Sequence, residues 1–384
     1  MKILYVTTVI STVNAFLIPH LTFLKQLGHE VAIACNPSDG TMELAERKGI
    51  RIHEIPFQRN PFSWQNIQAL PAIRRLVDQE GYQLVHVHTP VASFLTRFSL
   101  RKKKSITIVY TAHGFHFYKG APPKNWLIYY PLERIAARWT DCMITMNDED
   151  YLATRKFRLR KGGLIYQIPG VGIKRTRFEP LKEEEKRLLR QRYGYREEDF
   201  IVIYVAELST RKNQRMAIEA IHLLKEELQT VKLLLVGDGD KEEEYKKLVK
   251  KLHLEQQVHF LGYRDDIPEL LAISDVLIST SWHEGLPVHV MEGMATGLPL
   301  VVTNCRGNRD LVEDGKNGII IAPGDEKELA AALQRLYLTP DLRSRFSKAN
   351  LERIQHYDLS NVLNKMGKIY KLCLKETFSN KLSG

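Results

Sequence analysis

Cysteine is scarce in this sequence, at four of 384 residues. The four lie far apart in the chain, at Cys35, Cys142, Cys305 and Cys373, and no C-x-x-C pair is present. A disulfide framework or a structural zinc site needs closely spaced or paired cysteines, so the pattern argues against both. It predicts a protein of a reducing compartment, the cytoplasm.

Long apolar runs are also missing. No stretch reaches 18 consecutive apolar residues, which is about the length that a membrane-spanning helix requires, so we expect no spanning segment. The apolar start at residues 1–19 resembles a signal peptide in composition, but Thr7, Ser11 and Asn14 interrupt it. We therefore interpret it as a strand, a loop and a helix.

A G-x-G-x-x-G motif is absent after the first predicted strand, residues 2–8. The glycines of that motif let a pyrophosphate approach the backbone at the start of the following helix. Its absence argues against a Rossmann-type dinucleotide site in the first half of the chain.

Acidic residues are in deficit in one half only. Residues 1–180 contain 25 Lys and Arg against 13 Asp and Glu, a net charge of +12, whereas residues 181–384 contain 31 against 32, a net charge of −1. This asymmetry predicts an anionic partner for the first half, either a membrane surface or nucleic acid. The alternative is that the basic residues only keep this half soluble.

What the sequence does have is short apolar runs that alternate with helical patterns, which is typical of doubly wound parallel sheets. In the first half, strands are predicted at 2–8, 31–35, 51–55, 84–88, 106–112, 141–146 and 165–169, and a helix at 14–27. In the second half, strands are predicted at 201–206, 232–237, 258–261, 276–279, 299–303 and 318–321.

Residues 279–299 carry the clearest chemistry. A helix is predicted to begin near Pro287, where the missing N–H of proline costs nothing. Its free backbone N–H groups, with that of Gly285, form an anion site without a basic side chain. Glu284 precedes this end, and Glu292 lies roughly 7–8 Å along the axis, about the separation of a pyrophosphate from its ribose. Each glutamate alone also fits a capping or a solvated role.

Glu284 and Glu292, with Gly285 between them, resemble the Glu-x7-Glu motif of the retaining glycosyltransferases of family four, which have the GT-B fold. The resemblance continues through MATGLPLVVT at 294–303 and GNRDLVEDGKNG at 307–318, and it covers nearly the whole chain. It implies an α/β protein with two Rossmann-like doubly wound parallel-sheet domains that face each other across a cleft.

The resemblance also divides the chain. We expect an acceptor-binding domain at 1–173, a domain that binds the nucleotide sugar at 174–355, and a C-terminal helical segment at 356–384 that crosses back to the first domain.

Three residues take catalytic roles by this resemblance. Glu284 positions the sugar, Lys212 in ELSTRKNQ at 207–214 neutralises the pyrophosphate leaving group, and His113 in HGFHF at 113–117 orients the reacting end. The sequence departs from the family where Ala206 replaces a glycine and Glu207 an arginine. Because an acidic residue cannot do the work of an arginine, the second cation is expected to be Arg211 or Arg309, and the detailed phosphate contacts stay open.

The remaining donor contacts follow from the same resemblance. Glu292 is expected to accept hydrogen bonds from the ribose hydroxyls, and the loop GYRDDI at 262–267 places Tyr263 or Arg264 near the nucleobase. The start of the predicted helix adds backbone and apolar contacts at Gly285, Leu286 and Val288.

No metal and no cofactor are expected. Asp238-Gly-Asp240 imitates an Asp-x-Asp metal motif, but it follows a predicted strand where the family has a turn. Alternating histidines at His86 and His88 point to one side of a strand, yet no third ligand is evident, so core packing or site polarity is favoured.

Candidate acceptor contacts lie after the strands of the first half, where ligands of doubly wound sheets bind. These candidates are Asn14, His116 and Tyr118, which accompany His113. For His113 itself, a purely structural role is the alternative.

Aromatic residues and cations mix at 115–139, and basic clusters at 101–104 and 155–161 add to them. This composition suits an anionic lipid interface. An exposed soluble helix, or a surface that binds single-stranded nucleic acid, is the alternative.

The sequence therefore predicts a retaining hexosyltransferase that uses a nucleotide-diphosphate sugar, most simply a UDP-sugar such as UDP-N-acetylglucosamine. The expected acceptor is a glycan on a polyprenyl diphosphate in capsule or exopolysaccharide synthesis, at the inner face of the cell membrane. Two alternatives stay open: a GT-B sugar-nucleotide epimerase, and a non-catalytic nucleic-acid-binding protein.

Overall fold

The computed structural model describes residues 1–382, with side chains through residue 374. The chain forms two compact units, Met1–Val171 together with the chain from Ser360, and Gly172–Leu359. The last two residues of the predicted segment 356–384 lie outside the described residues. Within the described chain, no helix combines the length and the apolar character needed to cross a bilayer.

The first unit is built on a seven-stranded parallel sheet in the order β3-β2-β1-β4-β5-β6-β7. Its strands are β1 Lys2–Val9, β2 Glu30–Asn36, β3 Arg51–Glu54, β4 Leu84–Val87, β5 Thr107–Ala112, β6 Cys142–Thr145 and β7 Leu164–Gln167. Its helices before residue 171 are α1 Ile10–Thr12, α2 Ile18–Gln26, α3 Glu43–Arg47, α4 Gln65–Glu80, α5 Pro90–Ser99, α6 Pro123–Ala137 and α7 Asp148–Thr154.

The second unit is built on a six-stranded parallel sheet in the order β10-β9-β8-β11-β12-β13. Its strands are β8 Phe200–Val205, β9 Val231–Val236, β10 Val258–Gly262, β11 Val276–Ser279, β12 Leu300–Thr303 and β13 Gly318–Ile321. Its helices are α8 Glu183–Arg192, α9 Gln214–Leu224, α10 Glu242–Leu252, α11 Ile267–Ala272, α12 Val288–Ala295, α13 Asn308–Leu311, α14 Glu326–Leu338 and α15 Pro340–Arg353.

The apolar strands explain both sheets. In β8, Val202 and Tyr204 pack into one buried cluster while Ile201 and Ile203 pack into another, so successive side chains enter opposite faces. Strands covered on both faces read as continuous apolar runs. For this reason every strand predicted from the sequence is present, with bounds that differ by at most two residues.

The predicted helix 14–27 is wrong at its start. Helical structure begins at Ile10 and passes through a π-helical turn, Val13–Leu17, in which the N–H of Ile18 bonds the carbonyl of Val13. Pro19 follows and has no N–H to bond the preceding turn, and the wider turn accommodates that loss before α2 continues.

The last helix, α16 Leu359–Leu382, packs on the sheet of the first unit. The hydroxyl of Tyr370 hydrogen-bonds the hydroxyl of Tyr5 and lies 2.6 Å from Nδ1 of His86. Cys373 on the same helix is hydrogen-bonded with Cys142 of β6. All four cysteines are free and buried.

The prediction of an aromatic surface at 115–139 needs correction. Phe115 and Phe117 are buried and stack with 4.6 Å between ring centroids, and Tyr130 meets Phe117 edge-on at 5.2 Å. Rings bury the most apolar area per residue, so they were drawn into the core. The exposed apolar side chains of α6 are mostly aliphatic: Trp126, Leu127, Ile128, Leu132 and Ile135.

The two basic clusters are also partly structural. Lys103 is paired with Asp78, and Arg160 donates to Asp141 at 2.9 Å and to the carbonyl of Ile106 at 3.1 Å. The Arg160 side chain is only 14% exposed, so its charge supports the fold rather than an outer surface.

Candidate active site

The second sheet has a switch point between β8 and β11. The chain leaves β8 for β9 on one side of the sheet and leaves β11 for β12 on the other. Loops that diverge in this way open a crevice beyond the strand ends, where ligands of such sheets bind. The loop after β8 carries Arg211 and Lys212, and the loop after β11 carries Glu284.

The loop after β8 is fixed by the turn after β9. The N–H of Leu208 donates to the carbonyl of Asp238 at 2.8 Å. A side chain at Gly239 would place its first carbon 2.3 Å from the carbonyl oxygen of Leu208, so only glycine allows this approach. Asp238-Gly-Asp240 is therefore a turn that supports the neighbouring loop.

The loop after β11 is held by hydrogen bonds from threonine hydroxyl groups to backbone carbonyls. Thr280 donates to the carbonyl of Asn213 at 2.9 Å, and Thr303 donates to the carbonyl of Ser281 at 2.6 Å. Gly307 lies against the same loop, because a side chain there would come within 2.7 Å of the carbonyl oxygen of Gly285. These contacts set the position of the backbone immediately before α12.

Lys212 and Glu284 form a buried ion pair at this point. Nζ of Lys212 lies 2.5 Å from Oε1 of Glu284, although the two residues are 72 positions apart. Ser281 donates to the same oxygen at 2.6 Å, and Arg211 donates to Oε2 at 3.2 Å. The Lys212 and Glu284 side chains are only 10% and 7% exposed. The carboxylate is thus held by three donors on one side of the crevice.

The ionisation of the pair follows from its surroundings. Burial alone raises the pKa of Glu284, but Lys212 and Arg211 outweigh that effect and lower the pKa to about 2. Burial lowers the pKa of Lys212, and the facing carboxylate opposes that shift. Glu284 is therefore ionised at neutral pH and faces Lys212 in a buried ion pair.

A histidine that the sequence analysis missed completes this cluster. His289, the second residue of α12, is 7% exposed, and its Nε2 is buried with no hydrogen-bond partner among the described residues. Burial, with the nearby charge of Lys212, lowers its pKa to about 3, so the ring is neutral. A buried ring nitrogen without a partner is available to a ligand. Only its position five residues after Glu284 could have pointed to it.

The structure separates the two candidates for the second cation. Arg211 reaches Glu284, whereas Nη1 of Arg309 lies 3.2 Å from Oδ1 of Asn304. Glu207 contributes its backbone, since its carbonyl accepts a hydrogen bond from Gln214 at 2.8 Å. Arg211 is thus the candidate that shares the carboxylate with Lys212.

Helix α12, which follows Glu284 in the site, begins at Val288 and has Pro287 as its N-cap. Leu286 and Val288 are partly buried against the core, which fixes the start of α12. Glu292, the fifth residue of the helix, is half-buried, and burial raises its pKa to about 7 against the weaker opposing effect of Arg177. Its predicted contact with ribose stays a prediction.

The predicted nucleobase contacts lie after β10. Tyr263 is 75% exposed, and Arg264 makes two hydrogen bonds to Asp266, at 2.8 and 2.5 Å. The Arg264 guanidinium is therefore held by its own loop. Of the two candidates, Tyr263 is the one whose side chain is more accessible to a nucleobase.

In the first unit, His113 belongs to a buried cluster of histidines. Its Nε2 lies 3.0 Å from Nδ1 of His88, and Nε2 of His86 lies 2.7 Å from the hydroxyl of Thr111. Burial, with a smaller contribution from His20, lowers the pKa of His113 to about 4, so its ring is neutral at pH 7. Both histidines of the His86-x-His88 pattern are buried parts of this network.

Of the other candidates of the first unit, Asn14 lies in the π-helical turn Val13–Leu17, and His116 and Tyr118 share the loop between β5 and α6. Nδ2 of Asn14 donates to the carbonyl of Thr41 at 2.9 Å, and its Oδ1 is buried with no partner among the described residues. His116 is exposed beside Tyr129, with 4.5 Å between ring centroids. The carbonyl of Tyr118 accepts a hydrogen bond from Trp126 at 3.2 Å.

Among the described residues, no group of three or more histidine, cysteine or acidic side chains is placed to hold a metal ion. The predicted independence from metals stays a prediction.

Structural comparison identifies the fold. The chain superimposes on Anabaena HepE in complex with UDP with a TM-score of 0.80, over 97% of this chain and 100% of that one, at 22% sequence identity. At this identity the likeness concerns the fold alone. Two parallel α/β units with this match define the GT-B class of glycosyltransferases, as predicted.

Sequence comparison identifies the family. Residues 20–162 match the description Glycosyltransferase Family 4, and residues 185–353 match Glycosyl transferases group 1. The chain is 38% identical to the putative glycosyltransferase EpsD of Bacillus subtilis over 96% of both chains. It is 29% identical, over 72% of both chains, to the UDP-Gal:alpha-D-GlcNAc-diphosphoundecaprenol alpha-1,3-galactosyltransferase of Escherichia coli. The chain belongs to the family 4 and group 1 glycosyltransferases and is a glycosyltransferase.

Proposed function

We propose that this protein is a retaining glycosyltransferase that moves a hexose or N-acetylhexosamine from a UDP-sugar to a glycan carried on a polyprenyl diphosphate. The buried contact of Lys212 and Arg211 with Glu284, just before α12, carries the proposal. Two cations at the start of a helix suit a diphosphate, and a fixed carboxylate beside them suits sugar hydroxyls.

Relatives support the choice of substrates. HepE has been crystallised with UDP and with UDP-glucose, and the Escherichia coli relative is named for transfer of galactose from its UDP derivative to a GlcNAc-diphosphoundecaprenol. Because this chain shares the fold of the first protein and is similar in sequence to the second, we expect it to use the same classes of donor and acceptor, in capsule or exopolysaccharide synthesis.

In the proposed reaction, the bond between the sugar carbon and the β-phosphate oxygen breaks, and the acceptor oxygen bonds to that carbon on the same face. The proton of the acceptor hydroxyl passes to the leaving phosphate, so no carboxylate base is needed. Lys212 and Arg211 stabilise the charge that develops on the phosphate. Glu284 holds the sugar hydroxyls, Glu292 the ribose, and His113 orients the reacting end.

Donor binding would displace the present ion pair. The carboxylate of Glu284 and the ammonium of Lys212 pair with each other in this structure. A diphosphate would take the cation and a sugar hydroxyl would take the carboxylate, so neither charge is left unpaired. Both side chains are already largely buried in this structure, so little further desolvation is required of them.

The test is a nucleotide-sugar screen followed by a transfer assay. Thermal stabilisation by UDP-sugars identifies the donor, because a ligand that binds only the folded state raises the melting temperature. Mass analysis of the product must then show a new glycoside on a lipid-linked acceptor. An isomerised nucleotide sugar without a glycoside would instead identify an epimerase and overturn the proposal.

We also propose that the first unit contacts anionic membrane at the inner face of the cell. On α6, Leu127 and Ile128 are 77% and 48% exposed, and Lys124 and Arg134 are exposed on the same helix, with Arg138 exposed at its C-cap. Apolar side chains flanked by cations suit a surface of anionic lipid.

Sedimentation with phosphatidylglycerol vesicles tests this contact. Wild-type protein should sediment with the vesicles at low salt. Leu127→Glu should sediment at least about threefold less, because a charge replaces a leucine side chain whose burial contributes about 2 kcal/mol of free energy. Sedimentation of both proteins to the same extent, or of neither, would remove the membrane from the proposal.

A further inference from the structure

The first unit contains a cavity that the proposed catalytic roles do not use. It has a volume of about 500 Å³, within the range of pockets that enclose a small organic ligand. It lies at the switch point of the first sheet, because Thr8 and Val9 end β1 and Thr89 precedes α5 after the adjacent strand β4. Doubly wound sheets bind ligands at this position.

Hydroxyl groups line the end of the cavity beside the strands. Oγ1 of Thr89 accepts a hydrogen bond from the N–H of Thr8 at 2.9 Å and lies 2.9 Å from Oγ1 of Thr8. The backbone of Thr89 has a φ of 44°, which a β-branched residue rarely adopts. Thr12 also lines the cavity. This end can therefore accommodate polar groups.

The cavity becomes apolar along α5. Phe94 and Leu95 line it about 8–9 Å from Thr89, at 1.5 Å per helical residue. Leu132 and Tyr129 of α6 form the facing wall, and Phe62 contributes from the loop before α4. A ligand that fills the whole cavity must be amphipathic, with a polar end at the strands and an apolar end between the two helices.

The acidic residue in the wall does not present a bare charge. Glu133 lines the cavity, but its Oε2 accepts a hydrogen bond from Arg97 at 2.8 Å and its Oε1 accepts one from Tyr110 at 3.1 Å. The Arg97 side chain is fully buried. The cavity wall is therefore nearly neutral, which suits an apolar chain and does not repel an anionic head group.

The apolar end continues into exposed apolar surface on both sides. Phe62 and Trp64 are 88% and 66% exposed on one side, and Leu132 is 39% exposed on the other. Exposed apolar patches of this kind indicate contact with an apolar partner. A chain that leaves the cavity beside Phe62 would stay covered by apolar side chains.

We propose that this cavity binds the first isoprene units of the lipid that carries the acceptor glycan. The inference rests on the proposed lipid-linked acceptor, and it assigns a site to the lipid part of that substrate. An isoprenyl diphosphate matches the observations, since its chain fits the wall between α5 and α6 and its anionic head suits a unit with excess positive charge. Arg59, which is paired with Asp39 at 2.8 Å, contributes a cation to the cavity lining.

The test uses soluble isoprenyl diphosphates without vesicles or detergent. Calorimetric titration with geranyl, farnesyl and geranylgeranyl diphosphate should show affinity that rises at least about tenfold from the first to the last, since each buried CH2 adds to binding. Inorganic pyrophosphate reports the head group alone and should bind much more weakly. Equal affinity for all chain lengths would overturn the assignment.

Two substitutions on one helix provide the matched control. Leu132→Glu places a carboxylate in the cavity wall and should weaken farnesyl diphosphate at least about tenfold, by opposing burial of the chain. Leu127→Glu makes the same change on exposed α6 surface and should leave this affinity within about twofold. Equal loss in both variants would indicate adsorption to the helix surface and overturn the cavity site.

Further measurements separate this inference from the proposed function. Binding of UDP to Leu132→Glu should equal that of wild type, which would show an intact fold. Val91 of α5 lines the cavity on the wall opposite Leu132, so Val91→Glu should repeat the loss of farnesyl diphosphate affinity. If lipid-linked acceptors of two and eleven isoprene units give equal KM, the cavity assignment fails while transfer stands. If no nucleotide sugar is turned over, the proposed function fails whatever the isoprenyl diphosphates do.

Discussion

The two units place different chemistry at the same topological position. At the switch point of the second sheet, Lys212 and Arg211 both lie within hydrogen-bond distance of the Glu284 carboxylate. At the switch point of the first sheet, Thr8 and Thr89 share hydroxyl hydrogen bonds above a largely apolar cavity. The sheet provides the position, and the loop residues determine whether a charged cluster or hydroxyl groups beside an apolar wall stand there.

The neighbouring histidines extend the contrast. Burial lowers the pKa of His113 and of His289, and both rings are neutral at pH 7. In the second unit the neutral ring lies close to the charge of Lys212, whereas in the first unit His113 bonds to another histidine. Both units thus hold a neutral histidine near the switch point, but only in the second does that ring lie beside the Lys212–Glu284 ion pair.

The largest expected effect comes from breaking the charged cluster. Lys212→Met and Glu284→Gln should each reduce transfer at least about 10³-fold, because a fixed charge that stabilises the reacting groups is lost. Each change also leaves a buried group without its partner, at a cost of about 3 kcal/mol of unfolding free energy. Initial rates and urea unfolding measure the two effects.

The double variant is the control for that prediction. Lys212→Met with Glu284→Gln removes both charges, so it should be more stable than Lys212→Met alone while remaining inactive.

Stability of wild type should also fall as pH drops from about 4.5 towards 2, since Glu284 has a lowered pKa and its ionised form is favoured by folding. A Glu284→Gln variant with the same pH slope would contradict the paired geometry.

The next largest effect tests the neutral cluster of the first unit. His113→Gln should lower turnover about 10- to 100-fold, since an orienting hydrogen bond at the reacting end is lost. UDP affinity should stay within about twofold, because the nucleotide contacts are assigned to the second unit. Steady-state kinetics and UDP titration give both numbers, and an equal loss in both would place His113 with the donor contacts.

A smaller effect distinguishes the two candidate cations. Arg211→Ala should lower turnover about tenfold because Arg211 shares the Glu284 carboxylate with Lys212. Arg309→Ala should change it less than about twofold, since Arg309 bonds Asn304. Turnover by the two variants under one set of conditions decides the matter, and the reverse order would assign the second cation to Arg309.

The smallest expected effect is a pH dependence. Burial raises the pKa of Glu292 to about 7, so its carboxylate becomes more populated as pH rises from 6 to 8. An ionised carboxylate accepts both ribose hydroxyls, and UDP affinity should therefore increase a few-fold over this range. Titration of Glu292→Gln should show weaker binding with no such increase. A pH slope retained by that variant would show that Glu292 does not contact the ribose.

The sequence was a good guide where one signal acted locally. Apolar runs predicted the strands of both sheets, and Pro287 marked the start of α12 within one residue. It was a poor guide to which of several apolar residues in one stretch are buried and which are exposed. Phe117 and Leu127 both belong to the stretch predicted to lie on the surface, yet the ring is buried and the leucine is exposed.

Residue types and their order along the chain thus determined the α/β alternation, the family and the candidate residues, because these depend on neighbours within a few positions. Only the tertiary structure decided which candidates meet. Lys212 and Glu284 are joined across 72 residues, and His88 and His113 across 25, by the order in which parallel strands assemble. The cavity between α5 and α6 depends in the same way on the packing of distant segments, which no local pattern records.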